Sequence, residues 1–338
     1  MGATQRNAFA VVGAGSWGTA LAILLANNNL PTRIWGHEHE HMQQLINERV
    51  NQAFLPDINF PEQLQPVTTL EAALSGVTDV LVVVPSHAFR AVLEQIVPLI
   101  QPGMRLVWAT KGLEPGSAKL LHEIAAEVLP ADMPTAVLSG PTFAREVAAG
   151  LPTAITVAST DTRYAATLAE LLQNKTFRVY TSDDLVGVQI GGAVKNVMAI
   201  AAGISDGLGF GANSRSALIT RGLAEIMRLG IQMGGKAETF MGLAGLGDLA
   251  LTCTDNQSRN RRFGMALAQG MSAELALESI GQVVEGRQTA DEVHRLAERL
   301  GVDMPITSGV YRILYEGMDP HQVVSELFSR EQKSECEE

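Results

Sequence analysis

The sequence predicts a doubly wound α/β domain over residues 1–184, followed by an all-helical domain over residues 185–338. Short apolar runs alternate with helical stretches through the first half, as helices covering a mostly parallel sheet require. Gly13-Ala14-Gly15-Ser16-Trp17-Gly18 lies directly between the first apolar run and the first helical stretch, where such sheets hold their ligands. Near Asp184 the strand-like runs stop, while apolar residues go on recurring at helical spacing.

The elements follow in order. Residues 9–12 form a short apolar strand, residues 17–27 a helix and residues 32–35 a second strand, an opening β-α-β unit. Residues 80–84 are continuously apolar up to Pro85, as befits a strand covered on both faces, and residues 105–109 and 135–138 read the same way. Helices over 89–97 and 118–128 separate these strands, and strands over 153–158 and 177–180 flank a helix at 164–172. Thr181-Ser182-Asp183-Asp184 supplies hydroxyl and carboxylate caps for the next helix. Helical spacing then marks residues 186–202, 216–229 and 288–300. No internal repeat or low-complexity linker is visible, so the domains are expected to pack closely around a cleft. Residues 329–338, polar and acidic, read as a frayed tail.

With 338 residues, 46% of them hydrophobic and 18% charged, the chain is ordinary for a soluble globular protein and long enough for two cores. A formal net charge of −11 argues against nucleic-acid or anionic-membrane surfaces, so an anionic small molecule needs a local basic pocket. The two cysteines, Cys253 and Cys336, lie far apart without metal-ligand spacing, which suits a reducing cytoplasm and argues against zinc or disulfide architecture. Residues 1–7 lack the basic flank and apolar stretch of a secretory signal. The longest apolar stretches are read as too short or too interrupted to span a bilayer, so no membrane insertion is expected.

In the glycine loop, Gly13 permits the tight turn, Gly15 lets backbone approach a pyrophosphate, and Gly18 lets helix and strand pack closely. The amides around Ser16 and Trp17 would face the anion. No acidic residue stands immediately at the end of the second strand, Thr32-Arg33-Ile34-Trp35-Gly36-His37-Glu38, to hold a ribose diol. His37 or Arg33 could face a ribose 2'-phosphate, which favours NADPH, while nearby Glu38 leaves NAD open. His37 is equally compatible with a plain surface role.

Lys195 sits in the apolar run Gly191-Gly192-Ala193-Val194-Lys195-Asn196-Val197, where a lysine either snorkels or exchanges protons with a lowered pKa. Lys111 follows a strand end and points to the crevice or to solvent. Gly140 and Thr142, in Ser139-Gly140-Pro141-Thr142, offer amides and a hydroxyl for substrate oxygens, or only a helix cap. Asp248 and Thr252 are four apart and would share a helix face; Asp248 is either an N-cap or a partner for Lys195. Cys253 reads as a buried structural thiol. Ser258-Arg259-Asn260-Arg261-Arg262 concentrates guanidiniums suited to a phosphate, although spacing alone does not choose among them.

Together with Phe54-Leu55-Pro56, Lys111-Gly112-Leu113, Gly209-Phe210-Gly211-Ala212-Asn213 and Gly245-Leu246-Gly247-Asp248-Leu249, these motifs resemble the bacterial-type NAD(P)-dependent glycerol-3-phosphate dehydrogenases over nearly the whole chain. The resemblance implies a Rossmann-type domain and an all-α, 6-phosphogluconate-dehydrogenase-like C-terminal domain. It implies reversible reduction of dihydroxyacetone phosphate to sn-glycerol 3-phosphate for glycerophospholipid synthesis, in a cytoplasmic homodimer. Carried over residue by residue, it makes Lys195 the general acid/base, supported by Lys111, Asn196, Asp248 and Thr252. Substrate contacts fall on Lys111, Gly140, Thr142, Lys195, Asp248, Ser258, Arg259 and Asn260. Cofactor contacts beyond the glycine loop, with its Ser16 and Trp17, fall on His37, Lys111, Ala144, Arg259, Val283 and Glu285. No metal is required. Two other readings stay open: another two-domain dehydrogenase of the 6-phosphogluconate or hydroxyacid type, and a non-catalytic NADPH-binding sensor, which would need neither Lys195 nor Arg259.

Overall fold

The structure, a computed structural model, describes residues 7–331; the readings made for residues 1–6 and 332–338 lie outside the described residues. Its strands are β1 (Phe9–Val12), β2 (Thr32–Trp35), β3 (Val50–Asn51), β4 (Leu55–Asn59), β5 (Leu64–Pro66), β6 (Asp79–Val82), β7 (Arg105–Trp108), β8 (Thr135–Ser139), β9 (Thr153–Ala158) and β10 (Phe177–Ser182). Eight of them make one sheet in the order β10-β9-β8-β7-β6-β1-β2-β5, and β3 pairs with β4 in a separate ribbon. All neighbours in the large sheet run parallel except β8 and β9, which are antiparallel. From β1 the chain winds one way through β2 and β5 and the other way through β6, β7 and β8. The winding reverses between β1 and β6, the place where sheets of this kind hold a ligand beyond the carboxyl ends of their strands.

Side-chain alternation splits β1 between two cores: Phe9 and Val11 join one layer of buried side chains, Ala10 and Val12 the other. The second half is built around one helix, Leu185–Gly207, of 23 residues, nearly all buried. Asp184 caps it, accepting from the Gly187 amide at 2.8 Å while its other oxygen takes the Lys236 amide at 2.9 Å. Helices Gly211–Gln232, Asp248–Thr254, Arg259–Ala268 and Glu285–Leu300 pack around it.

Several elements differ from the sequence reading. Ala118 adopts a left-handed conformation (φ 54°), so the helix read over 118–128 begins only at Leu121. The ribbon and β5 carry no strand signal in the sequence, because they are short and hold Pro56, Asp57 and Pro66 in place of an apolar run. The Leu185–Gly207 helix is long and apolar enough to cross a membrane by length and composition, contrary to the reading of its sequence. Here it lies inside the helical domain, its apolar sides covered by neighbouring helices.

Candidate active site

Lys195, in the third turn of the central helix, is 7% exposed, and its Nζ donates to Asp248 Oδ1 at 2.6 Å and Thr252 Oγ1 at 2.8 Å. Asp248 reaches it because the glycine-rich segment ahead forms a π-helical turn, Leu243–Gly247, that runs without a break into helix Asp248–Thr254. That turn lies against Gly191, one helical turn before Lys195, where a Cβ would stand 2.4 Å from the Ala244 carbonyl oxygen. Asp248 is therefore not a cap. Its second oxygen accepts from Lys111 Nζ at 2.6 Å, across from the end of β7, and Lys111 also donates to the Gly140 carbonyl at 3.2 Å. Thr252 gives its hydroxyl proton to the Asp248 carbonyl at 2.6 Å, leaving its oxygen free to accept from Lys195. Thr142 Oγ1 shares the Gly140 carbonyl at 3.2 Å.

Burial pushes the Lys195 ammonium down to about 8; Asp248 pulls it back and Lys111 lowers it further. For Asp248, burial alone favours the neutral acid, but the two ammoniums outweigh it and hold the carboxyl below its ordinary value. Two ammoniums around one carboxylate leave a local excess of positive charge within an acidic protein. Burial pushes the neighbouring Cys253 thiol up to about 12, so it stays protonated and unreactive.

A second cluster is tied to the first through amides. Asn260 Nδ2 donates to Asn196 Oδ1 at 2.9 Å, beside Lys195, and Asn260 Oδ1 accepts from the Gly286 amide at 2.9 Å. Ser258 caps the helix that opens with Arg259, its oxygen accepting the Arg261 amide at 3.2 Å. Arg261 is turned away to Asp206, at 2.5 Å, and Arg262 is exposed, which leaves Arg259 as the guanidinium set beside Glu285, where the helical domain meets Ser86. Arg259 Nη1 reaches Gln282 Oε1 at 3.4 Å, and burial lowers its pKa against the opposing charge of Glu285. Burial likewise pushes the Glu285 carboxyl up to about 7, with Arg259 and the Ser86 hydroxyl, 3.4 Å away, opposing. Ser86, Gln282 and Asp206 carry no signal of their own in the sequence; they matter only through contacts with residues far along the chain.

The glycine loop fits a dinucleotide on its own geometry. Gly13 has φ 120° and a Cβ there would meet the Val83 carbonyl oxygen at 2.3 Å, while a Cβ on Gly18 would stand 1.9 Å from the Gly13 carbonyl oxygen. At Gly15, in contrast, nothing lies within 4 Å of where a Cβ would stand, so backbone is open to a ligand. The fold thus brings together Lys111, Gly140, Thr142, Lys195, Asp248 and Thr252, and links Asn196, Asn260, Arg259 and Glu285 beside them. It does not bring in His37, whose side chain is 86% exposed and 3.7 Å from Glu38, nor Val283, which is exposed. Ala144 opens the short helix after the Thr142 loop. Arg33 turns away from the crevice, its Nη1 donating to the Ala72 carbonyl at 3.1 Å at the end of a neighbouring helix.

Family models for the N-terminal and C-terminal parts of NAD-dependent glycerol-3-phosphate dehydrogenase match residues 8–165 and 184–325. The chain is 60% identical over 326 residues to the glycerol-3-phosphate dehydrogenase [NAD(P)+] of Shewanella halifaxensis, covering 96% of each chain. It is 57% identical to that of Aeromonas hydrophila, covering 97% of this chain and 98% of the relative. A crystal structure of glycerol-3-phosphate dehydrogenase from Coxiella burnetii superposes with a TM-score of 0.94 at 51% identity, covering 96% of this chain and 99% of that one. With both halves matched and such identities sustained over nearly its full length, the chain belongs to the NAD(P)-dependent glycerol-3-phosphate dehydrogenase family.

Proposed function

We propose that the protein catalyses the reversible, NAD(P)H-dependent reduction of dihydroxyacetone phosphate to sn-glycerol 3-phosphate, with Lys195 as general acid and base. The observation that carries this reading is the buried Lys195–Asp248–Lys111 cluster, linked through Asn196 and Asn260 to the turn that bears Arg259. When bound, the reduced nicotinamide supplies hydride to the substrate's carbonyl carbon. Two of the three Lys195 N–H groups are held by Asp248 and Thr252, which aims the third at a substrate oxygen. As negative charge develops on that oxygen, Lys195 gives up a proton and the Lys111 ammonium stabilises what remains. In the oxidative direction neutral Lys195 takes the hydroxyl proton. Asp248 stays ionised throughout and orients both lysines. Arg259, with the Asn260 and Ser258 side chains beside it, holds the phosphate, and Gly140 and Thr142 line the substrate side next to Lys111.

The glycine loop, Ala144 and Glu285 form the cofactor side of the cleft in this reading, and the exposed Val283, two residues before Glu285, joins it only as a contact that the family resemblance implies. The lack of an acid immediately at the end of β2 supports NADPH as the preferred cofactor, with the exposed His37 two residues past the strand free to approach a 2'-phosphate, and Glu38 beside it supports NAD as a usable one. The division at residues 184 and 185, a homodimeric state, a cytoplasmic location without membrane insertion and a role in glycerophospholipid precursor supply complete the proposal. Initial rates with dihydroxyacetone phosphate and each reduced cofactor test it. Turnover with this substrate is expected, with the higher kcat/KM for NADPH. Activity on a β-keto acid but none on dihydroxyacetone phosphate would transfer the protein to another dehydrogenase class, and cofactor binding without any turnover would make it a sensor. Sedimentation velocity reads the dimer.

A further inference from the structure

Asn51, in β3, is fully buried, and it is neither in the cleft nor part of any chemistry described above. Its Nδ2 donates to the Ala14 carbonyl at 2.9 Å and to Thr19 Oγ1 at 2.8 Å. A carbonyl only accepts, so the contact with Ala14 fixes which way the amide faces. Asn51 Oδ1 therefore accepts from the Phe54 amide at 3.2 Å and from His41 Nε2 at 3.1 Å, which makes the His41 ring an Nε2–H donor. All four hydrogen-bonding positions of the side chain are used.

The Ala14 carbonyl lies just outside the helix that follows β1, Ser16–Asn27, whose first backbone bond runs from the Thr19 amide to the Gly15 carbonyl at 2.9 Å. Apart from a long 3.5 Å contact with the Thr19 hydroxyl, Asn51 is its partner among the described residues. In a planar trans peptide the C=O and the following N–H point in opposite directions. Holding the Ala14 carbonyl toward the ribbon therefore turns the Gly15 N–H away from it, and that N–H makes no hydrogen bond among the described residues. We propose that Asn51 is a positioning residue for the cofactor: it sets the Ala14–Gly15 peptide plane so that the Gly15 amide is presented to the pyrophosphate. The β3–β4 ribbon is then a brace for the glycine loop. Phe54-Leu55-Pro56, a motif without a catalytic task, belongs to that brace: the Phe54 amide bonds Asn51, its ring meets the His41 ring edge-on at 5.2 Å, and Leu55 is buried in the core beneath.

The inference rests on the glycine loop being the dinucleotide site, and calorimetric titration separates the two. If that reading is wrong, the unsubstituted protein binds neither NADPH nor ADP-ribose, which carries the pyrophosphate without the nicotinamide. If Asn51 acts as proposed, Asn51→Ala weakens NADPH and ADP-ribose by the same factor, about tenfold, the scale of one misaligned buried hydrogen bond. The KM for dihydroxyacetone phosphate and kcat, both at saturating NADPH, stay within about twofold of the original. A variant that melts earlier yet binds both ligands with unchanged affinity would reduce Asn51 to a fold residue and overturn the proposal. Should Asn51→Ala fail to fold, the half-buried His41 gives a milder probe. His41→Leu removes the donor to Asn51 Oδ1 and should cost about threefold in NADPH affinity, while His41→Gln, whose amide can still donate, restores it. Equal affinity in both His41 variants counts against the brace.

Discussion

Lys195 shows how far one residue can be understood from its neighbours in sequence. Within Gly191–Val197 it is equally a snorkelling stem or a proton donor, and what separates the two is Asp248, 53 residues away, with Lys111 on the other side of the carboxylate. With burial bringing it down to about 8, the pH dependence has a definite sign in each direction. Reduction needs the ammonium, so its kcat/KM should be high below about 8 and fall as pH rises through that value. Oxidation needs the free amine and should show the opposite limb; pH–rate profiles in both directions check this. Lys195→Ala should lose about 10²–10⁴ in kcat while NADPH affinity, measured by titration, is retained. Arg259→Ala should raise the KM for dihydroxyacetone phosphate by about tenfold or more, the scale of a charge-assisted hydrogen bond, and leave the poor reaction with unphosphorylated dihydroxyacetone nearly unchanged. An equal loss on both ketones would remove Arg259 from the phosphate site.

At the scale of elements, existence was more legible than extent. Apolar periodicity in the chain marks the central helix, yet its reading over 186–202 stops short of Gly207, because glycine and serine near the end look like a break. Close packing against helix Arg259–Ala268 overrides their weak propensity. The π-helical turn before Asp248 is invisible in composition, since a glycine-rich segment is compatible with many turns and only contact with Gly191 selects this one. Glu225 is a buried acid of the same unreadable kind. On helix Gly211–Gln232 it accepts from the Ile306 amide at 2.6 Å and from the Thr307 amide and hydroxyl at 3.1 Å each, so it caps helix Pro305–Tyr315 from outside. Burial pushes its carboxyl up to about 7 against those bonds and the nearby Arg228 charge. A folded-state value above the unfolded one means that this group's contribution to stability is full below about pH 4.5 and is lost as pH rises through about 7. Glu225→Ala should remove that slope from urea-unfolding free energies and, by leaving buried donors unpaired, destabilise the fold at pH 5 by about 2–4 kcal/mol.

For the whole molecule, the contrast that matters is between a net charge of −11 and a cleft where Lys111 and Lys195 face one buried Asp248 and Arg259 stands beside Glu285. An anionic substrate is repelled by the protein at large and attracted by the site. Salt screens both, but the short-range attraction in the cleft governs affinity for the bound phosphate. Raising ionic strength from about 0.05 to 0.5 M should therefore raise the KM for dihydroxyacetone phosphate by about twofold or more and leave that for unphosphorylated dihydroxyacetone flat. A salt-independent KM would mean that neutral hydrogen bonds, not charge, hold the phosphate.

By itself the sequence determined what depends on near neighbours: the alternation that makes a covered sheet, the glycine loop between β1 and its helix, the Asp184 cap and the helical second half. The motifs also sufficed to identify the family. Tertiary structure alone decided which polar groups meet. It brought Asp248 between two lysines, turned Arg33 away from the crevice, selected Arg259 over Arg261 and set Asn51 against the Ala14 carbonyl. The physical reason is range. Periodicity and turn chemistry act over a few residues, whereas the pKa of a buried lysine and the direction of a loop amide are set by groups that only folding brings within hydrogen-bonding distance.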